Sequence, residues 1–276
     1  MIHAELTDEE YAQFRGLIYR AAGIQIADNK RVMVSNRVRR RLRATGLRDF
    51  SEYLGYLTSV KGENEMPLFL DAITTNETYF FRDPHHYEWL GDVFFPEILA
   101  QAAARARPRT LRIWSAACST GEEPYSIALK WHAKKPGFPG WRATILGTDL
   151  SGAVLKAAVE GVYDARSIRL VDPAVLKASF DAEGSPERFT IKPEIRSPIV
   201  WKRHNLLEPL GEGAFDCVFL KNVLIYFDNE SKRAVVANVI DSLAKGGYLV
   251  VGPTEGIHNM LGSLGRIHSW LYQRPA

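Results

Sequence analysis

The feature that most constrains this 276-residue chain is an apolar run, a turn of small residues and a helical pattern in direct succession. The apolar run at 111–114 leads into small residues at 115–121, and the helical pattern starts with Glu122 and Glu123. In open α/β folds such a turn lies at the carboxyl end of a strand, where ligands bind. Two carboxylates suit the positive end of a helix dipole but repel phosphate. The turn therefore predicts a ligand that carries hydroxyls or an amine.

Strand and helix patterns alternate after residue 110. Apolar runs predict strands at 111–116, 144–148, 199–203, 215–220 and 248–251, with a last edge strand at 270–273. Helical patterns lie between most of them, for example at 151–159 and 230–244. This alternation is typical of an α/β fold with a doubly wound, mostly parallel sheet. Residues 162–198 break the alternation with prolines and short apolar runs, and they predict a small inserted β subdomain.

The N-terminal part shows only helical patterns. Residues 7–10 form a capping box, and apolar residues follow it at helical spacing until Gly23. Asp83 and Pro84 predict the cap and first turn of a later helix. Together these signals predict three parts: an N-terminal all-helical domain at 1–90, a helix and linker at 91–109, and the sheet domain at 110–276.

A basic segment lies at 30–48. It contains eight Lys and Arg residues and no Asp or Glu, although the whole chain has a net charge of only +3. Val34, Val38 and Leu42 share one side of a helix, and the arginines occupy most of the remainder. This face either binds a specific acidic partner or is a solvated amphipathic surface. The absence of interspersed acids favours the partner.

Composition and motifs argue against several classes of protein. Two cysteines, Cys118 and Cys217, are no disulfide framework and fit a reducing compartment. No signal peptide is recognised, and no apolar run approaches the roughly 18 residues of a membrane span. We therefore expect a cytoplasmic protein without membrane insertion. The histidines lack metal-ligand spacing, and the glycine-rich fingerprints of NAD, FAD and ATP sites are missing.

Candidate site residues stand where predicted strands end. Asp149 ends the second strand, where an acid accepts hydrogen bonds from ribose hydroxyls; the alternative is a cap for the following helix. Asn222 and Tyr226 follow the strand at 215–220 and suit a site better than a core. Cys118 is interpreted as a small packing residue rather than a nucleophile. The aromatic and polar segment 74–84 is either part of the site or an ordinary packed turn.

Together these segments resemble one family, the chemotaxis receptor methyltransferases. The matching parts occur in the same order over nearly the whole chain: the basic helix with Lys30, Asn76-Glu77-Thr78 with Phe81-Arg82, residues 114–126, Thr148-Asp149, Asn205-Leu206-Leu207 and residues 222–227. The resemblance implies S-adenosyl-L-methionine as cofactor, S-adenosyl-L-homocysteine as product, and glutamate side chains of chemoreceptor cytoplasmic domains as methyl acceptors.

The resemblance also implies roles for individual residues. Glu123 and Asp149 hold the amino acid and ribose portions of the cofactor, and Arg82 and Tyr226 lie near the transferred methyl group as the catalytic pair. The other implied cofactor contacts are Asn76, Thr78, Asn205, Leu206, Leu220 and Lys221, together with Arg82. The arginines that dock on the acidic methylation helices of the receptor are Arg37, Arg39, Arg40, Arg41 and Arg43.

Two departures from the family pattern and two alternative functions stay open. Lys221 stands where an arginine is common, and residues 252–255 read Gly-Pro-Thr-Glu instead of Gly-x-Ser-Glu. A methyltransferase acting on RNA or on another protein would place the arginines on phosphates or another acidic surface. The Asn/Asp-Pro-Pro-aromatic tetrad of base-flipping enzymes does not occur, and no nucleic acid partner is expected. A non-catalytic scaffold that binds the cofactor and docks on receptors is the second alternative.

Overall fold

The computed structural model describes residues 5–74, 76–184 and 187–276. Its first part is helical, as the sequence predicts, and its helices are α1 (Asp8–Ala22), α2 (Arg31–Thr45), α3 (Phe50–Leu57), α4 (Glu65–Ile73), α5 (Pro84–Trp89) and α6 (Phe95–Ala103). The side chains of Val34, Val38 and Leu42 on α2 are fully buried, which confirms the apolar side of the basic helix.

Local signals set the ends of the first helices. The backbone N–H of Glu10 donates to the Thr7 hydroxyl at 3.2 Å, and the Thr7 N–H donates to the Glu10 carboxylate at 2.8 Å, which completes the capping box. Gly23 and Gly46 end α1 and α2 at left-handed φ values of 68° and 75°. Such a conformation is readily adopted by glycine at a helix end.

The predicted capping role of Asp83 is wrong. Asp83 precedes α5, but its carboxylate accepts no capping hydrogen bond from the helix. The residue itself adopts a left-handed φ of 61°, whereas a capping residue needs extended backbone. Its carboxylate lies instead 3.2 Å from the ammonium group of Lys221.

A seven-stranded sheet forms the second part, with the spatial order β6-β2-β1-β7-β8-β10-β9. Its strands are β1 (Thr110–Ala116), β2 (Arg142–Asp149), β6 (Ile199–Arg203), β7 (Phe215–Leu220), β8 (Leu243–Val251), β9 (Gly265–His268) and β10 (Leu271–Gln273). The first five strands in this order run parallel, and β10 is antiparallel to both of its neighbours. The predicted mostly parallel α/β fold is confirmed.

Helices cover both faces of this sheet. Those that follow β1 include α7 (Glu122–Lys134), α8 (Gly152–Glu160) and α11 (Asn229–Ser242). Successive strand residues enter different apolar cores: Ile113 and Phe219 pack with residues of α5, α6 and α7, whereas Trp114 and Val218 pack with residues of α11. Burial on both faces explains why these strands read as continuous apolar runs in the sequence.

The predicted edge strand at 270–273 is an inner strand. β10 pairs with β8 on one side and with β9 on the other, so β9 is the edge. All four residues of β9 are exposed, and their sequence therefore lacks the apolar pattern that would reveal a strand.

A small antiparallel sheet lies within the predicted inserted segment. Its order is β3-β5-β4, and the elements of this segment are β3 (Val162–Tyr163), α9 (Pro173–Ser179), β4 (Phe180–Glu183), β5 (Arg188–Ile191) and α10 (Pro193–Arg196). The Phe80 ring packs edge-on against Tyr163 and Phe180, with centroid distances of 4.8 and 5.4 Å. The domain limits given above stay predictions. Within the described residues, no helix is long and apolar enough to cross a membrane.

Several polar contacts join the helical part to the sheet domain. The Gln25 N–H donates to the Tyr226 carbonyl at 2.8 Å, beside a β-bridge that pairs the residues next to them in the chain. The Tyr19 hydroxyl donates to the Asp228 carboxylate at 2.8 Å. The Asp71 carboxylate accepts two N–H bonds at the start of α8, where the helix dipole is positive.

We predict that Glu65→Ala lowers the free energy of unfolding by about 3 kcal/mol, because it strands a half-buried cation. The Glu65 carboxylate is buried, pairs with both Nε and Nη2 of Arg41 at 2.8 and 2.9 Å, and accepts the Tyr53 hydroxyl at 2.7 Å. Exposed Glu63 is the matched control, and its replacement by alanine should change stability by less than about 0.5 kcal/mol. Urea unfolding followed by circular dichroism measures the free energy of unfolding of both variants. An equal decrease in the two variants would contradict the prediction.

Candidate functional site

A cavity of about 470 Å³ lies between the helical part and the carboxyl ends of β1, β2 and β7. Its lining residues come from 22–33, 73–74, 76–82, 117–123, 149–150, 204–206 and 221–227, together with Tyr87. The volume falls within the roughly 300–1,000 Å³ of small-molecule sites, and the position is the one at which open α/β sheets bind ligands. We call residues 76–82, which form part of the cavity mouth, the strap.

The turn after β1 has an unusual backbone. Ala117, Ser119 and Gly121 have φ values of 59°, 51° and 94°, all in the left-handed region. A side chain at Gly121 is excluded for a second reason, since a Cβ there would lie 2.8 Å from Cη2 of Trp201. This turn therefore needs small residues, and it places backbone rather than bulky side chains at the cavity.

Asp149 ties this turn to the end of β2. Its buried carboxylate accepts the Ser119 N–H at 2.8 Å and the Ser151 N–H at 2.9 Å. The helix-cap alternative for Asp149 is wrong, because the Ser151 hydroxyl caps α8 by accepting the Val154 N–H. Burial raises the pKa of Asp149. A carboxylate has about four acceptor positions, so Asp149 can also accept ligand hydroxyls.

Glu123 and Lys221 form a buried charge pair at the cavity wall. The Glu123 carboxylate accepts the Ser115 hydroxyl at 2.7 Å, and its second oxygen lies 3.5 Å from the Lys221 ammonium. Burial raises the pKa of Glu123, and the nearby Lys221 charge partly offsets this. Lys221 also donates to the Arg82 carbonyl at 2.8 Å and pairs with Asp83. The single lysine charge thus serves acceptors on α7 and on the segment before α5.

Glu122, the other acid at the start of α7, does not line the cavity. It is buried and accepts the Thr120 hydroxyl at 2.7 Å and the Ser167 hydroxyl at 3.2 Å. Cys118 in the same turn is also buried, and burial raises the pKa of its thiol. This agrees with the packing role predicted for Cys118, since the thiolate is the nucleophilic form.

Buried Glu255 holds the loop that follows β7, and no role was predicted for this residue from the sequence. Its carboxylate accepts the N–H groups of Asn222 and Leu224, the latter at 2.8 Å, while Asn222 adopts a left-handed φ of 58°. Lys232 donates to the Glu255 carbonyl at 2.7 Å. Although residues 252–255 depart from the family pattern, they therefore retain Glu255, the acid that shapes the cavity wall. The only sequence signal was the position of this acid after the strand.

Most of the predicted cofactor residues converge on the cavity. Its lining includes Asn76, Thr78, Arg82, Glu123, Asp149, Asn205, Leu206 and Lys221, together with Tyr226. Leu220 is the exception and corrects the prediction: its side chain is fully buried in the apolar core beneath α11 and does not line the cavity. The Asn205 amide already donates to the Ala21 carbonyl at 3.0 Å, so its side chain anchors the helical part.

The two residues predicted to be catalytic lie at the cavity mouth. The Arg82 guanidinium donates to the Glu77 carbonyl at 3.2 Å and lies 5.7 Å from the centre of the Tyr79 ring. Tyr226 is 37% exposed, so its ring reaches both the cavity and solvent. A cation and a hydroxyl donor thus stand where an anionic substrate would enter.

The five arginines predicted to dock on receptors differ in their surroundings. Arg40 and Arg43 are exposed, whereas the other three are partly buried. Arg37 donates to the carbonyls of Ile73 and Thr74 beside the cavity. The ring of Phe50 lies under Arg39, 5.7 Å from the guanidinium carbon. Arg41 corrects the prediction, because its charge is paired inside the helical part with Glu65.

The chain matches two family models. Residues 9–74 match the model described as CheR methyltransferase, all-alpha domain, and residues 76–269 match CheR methyltransferase, SAM binding domain. The chain belongs to the CheR methyltransferase family. The predicted family and the predicted cofactor, S-adenosylmethionine (SAM), are therefore confirmed. Within the described ranges, no cluster of three or more His, Cys, Asp or Glu residues could hold a metal ion.

Chemotaxis protein methyltransferases of several bacteria match this CheR family member over most of its length. Chemotaxis protein methyltransferase 1 of Pseudomonas aeruginosa is 36% identical over 256 residues, covering 91% of each chain. The chemotaxis protein methyltransferase of Salmonella typhimurium is 37% identical over 260 residues, or 93% of this chain and 86% of the relative. That of Escherichia coli is 35% identical over 259 residues, or 92% and 87%.

We predict that Glu255→Gln weakens binding of S-adenosylhomocysteine about 10-fold. In the variant, the glutamine NH2 group, a donor, faces one of the two backbone N–H groups that the carboxylate accepts. A buried charge-assisted hydrogen bond is therefore lost, and the loop that lines the cavity shifts. The control is Glu230→Gln, an exposed acid on α11. Isothermal titration measures both affinities, and a folded Glu255→Gln variant within twofold of the control would contradict the role.

Proposed function

We propose that this protein transfers the methyl group of SAM to glutamate side chains of chemoreceptor cytoplasmic domains, forming glutamate methyl esters. One observation carries the proposal: the cavity is lined by two carboxylates from the sheet side and by an arginine from the strap. The Asp149 carboxylate is buried, the Glu123 side chain is 14% exposed, and the Arg82 side chain lines the cavity from the strap. Such a cavity suits a cationic cofactor within and an anionic acceptor at the opening. The names of the relatives, chemotaxis protein methyltransferases, support the receptor as substrate.

The lining fits SAM in chemistry as well as in size. Glu123 would hold the amino group, because its carboxylate lines the cavity and the nearby Lys221 charge partly offsets the effect of burial on its pKa. Asp149 would accept the ribose hydroxyls, and Leu206 with the backbone of Asn205 would flank the adenine. Asn76, Thr78 and Arg82 would contact the cofactor from the strap, and Lys221 holds Glu123 in place. When bound, SAM supplies a methyl group on a sulfonium that leaves as the neutral thioether S-adenosylhomocysteine.

The residues at the mouth need only position the acceptor. A glutamate side chain has a reference pKa of about 4.3 and is already ionised near neutral pH, so no general base is required. Correct placement alone can lower a barrier by roughly 7–11 kcal/mol. Arg82 would pair with one carboxylate oxygen and leave the other to react. Because Arg82 is only partly buried, this pairing stays moderate and does not quench the nucleophile.

The basic face of α2 would bind the acidic methylation helices of the receptor. Lys30 and Met33, at the start of α2, line the cavity, so the exposed arginines of the same helix extend outward from the active site. Arg40 and Arg43 are the exposed cations of this face, and Arg37 lies closer to the mouth. A substrate helix held along α2 could therefore present a glutamate to Arg82.

The proposal is tested with methyl-labelled SAM and receptor-bearing membranes, followed by mild alkali. Carboxyl methyl esters release volatile labelled methanol, and we expect Arg82→Ala to lower kcat/KM about 100-fold through loss of acceptor placement. Arg266→Ala on the exposed edge strand is the control and should stay within twofold. Alkali-stable label would instead indicate methylation of RNA, lysine or amide groups. SAM binding without incorporation would indicate the non-catalytic scaffold.

We predict that affinity for S-adenosylhomocysteine falls at acidic pH, starting above the range of an ordinary glutamate. Because burial raises the pKa of Glu123, a protonated and uncharged form appears at a higher pH. The attraction for the ligand amine is present above this raised pKa and is lost as the pH falls through it. In binding titrations from pH 5 to pH 8, the affinity of Glu123→Gln for S-adenosylhomocysteine should change less with pH than that of the wild type. Asp149 accounts for the pH dependence that remains. Exposed Glu88→Gln should keep the full dependence; an unchanged profile in Glu123→Gln would refute the assignment.

A further inference from the structure

Two exposed arginines from the inserted segment meet the strap at the cavity mouth. The Arg169 guanidinium lies over the Tyr79 ring at 3.5 Å, and Arg166 forms an ion pair with Glu77. Tyr79 also receives Arg82 on its ring, and Glu77 and Tyr79 both line the cavity. Residues about ninety positions apart in the chain therefore place three guanidinium groups around one opening.

We propose that Arg166 and Arg169, beside Arg82, form a cationic rim that binds the acidic peptide segment flanking the target glutamate. The inference rests on the proposed function, and it assigns to the inserted segment a share in substrate binding that the basic helix does not provide. The strap beside this rim and the start of α2 both border the cavity, since Arg82 and Lys30 line it. A substrate helix would thus meet cations from the rim as well as from α2.

The segment that carries these arginines is firmly anchored. Ser167 accepts the Phe80 N–H with its carbonyl at 2.9 Å and donates its hydroxyl to buried Glu122 at 3.2 Å. Ile168 is buried in the apolar core next to it. The inward residues 167 and 168 leave Arg166 and Arg169 exposed on the outer side. Their position is therefore set by the fold.

The contacts that the two arginines make leave them able to bind a partner. The pair between Arg166 and Glu77 is exposed, with 74% and 67% of the side chains accessible, and such pairs contribute little stability. A substrate carboxylate can replace Glu77 at low cost. A guanidinium has five N–H donors, and Arg169 donates at 2.7 Å to the Arg166 carbonyl. Stacking on the Tyr79 ring fixes the plane of the Arg169 guanidinium, and the edge of the guanidinium faces solvent.

An acidic peptide suits this rim better than a nucleic acid. Glu77 and Asp83 lie among the cations, and a continuous phosphate backbone would pass close to both. Separate guanidinium forks match single carboxylates, which can be spaced along a helix to avoid these acids. The rim therefore selects a peptide with acidic side chains at intervals.

The test measures binding of a labelled, glutamate-rich helical peptide by fluorescence anisotropy, with the protein saturated with S-adenosylhomocysteine. The double variant Arg166→Gln/Arg169→Gln should raise the peptide Kd about fivefold and reduce its salt dependence, as expected for exposed charge pairs. The control Arg105→Gln/Arg266→Gln removes two exposed charges elsewhere and should stay within twofold. Affinity for S-adenosylhomocysteine should not change in either variant.

Methyl transfer to receptor membranes gives a second measurement. Loss of the rim arginines should raise KM for the receptor about fivefold while kcat stays within twofold, because Arg166 and Arg169 bind the flanking segment and do not touch the reacting group. Equal peptide affinities in the two double variants would overturn the rim. So would displacement of the peptide by an oligouridine at similar concentration. If wild-type protein releases no methanol, the proposed function fails, and the peptide measurement still decides the rim.

Discussion

The backbone turn after β1 is held by hydrogen bonds to the end of β2. The Cys118 N–H donates to the Thr148 carbonyl at 2.8 Å, and the Ser119 N–H donates to the Asp149 carboxylate at 2.8 Å. The left-handed conformations of Ala117 and Ser119 are strained for residues other than glycine, and these partners stabilise them. Once the turn is fixed, α7 begins at a defined point, and the direction of Glu123 into the cavity follows from it.

The second requirement is that buried charges find partners from different segments. Lys221 links Glu123 to Asp83, so the end of β7 is tied both to α7 and to the entry of α5. Glu255 satisfies the backbone of the loop after β7. Removing one member of such a group leaves an uncompensated charge, which is far more costly than an exposed pair. The geometry of the mouth therefore rests on ion pairs behind it.

The sequence predicted what depends on local pattern and missed what depends on distant partners. Strands buried on both faces were visible as apolar runs, and the small-residue turn revealed the position of the site. Exposed β9 had no such pattern. The pairing of Arg41 with Glu65 and the support of the loop at Asn222 by Glu255 join residues 24 and 33 positions apart. No periodicity records which distant side chain an arginine or a carboxylate will meet.

The cavity takes its walls from both the helical part and the sheet, and this arrangement has a thermodynamic consequence. A ligand that touches both walls stabilises the contact between the walls. By thermodynamic linkage, that contact stabilises the bound ligand by the same free energy. The bonds from Gln25 to Tyr226 and from Tyr19 to Asp228 are therefore linked to the cofactor, although neither bond needs to touch it. The orientation of α2 relative to the sheet therefore depends on whether the cofactor is bound. With the cofactor bound, the basic face of α2 is held more firmly in its position beside the cavity mouth than without it.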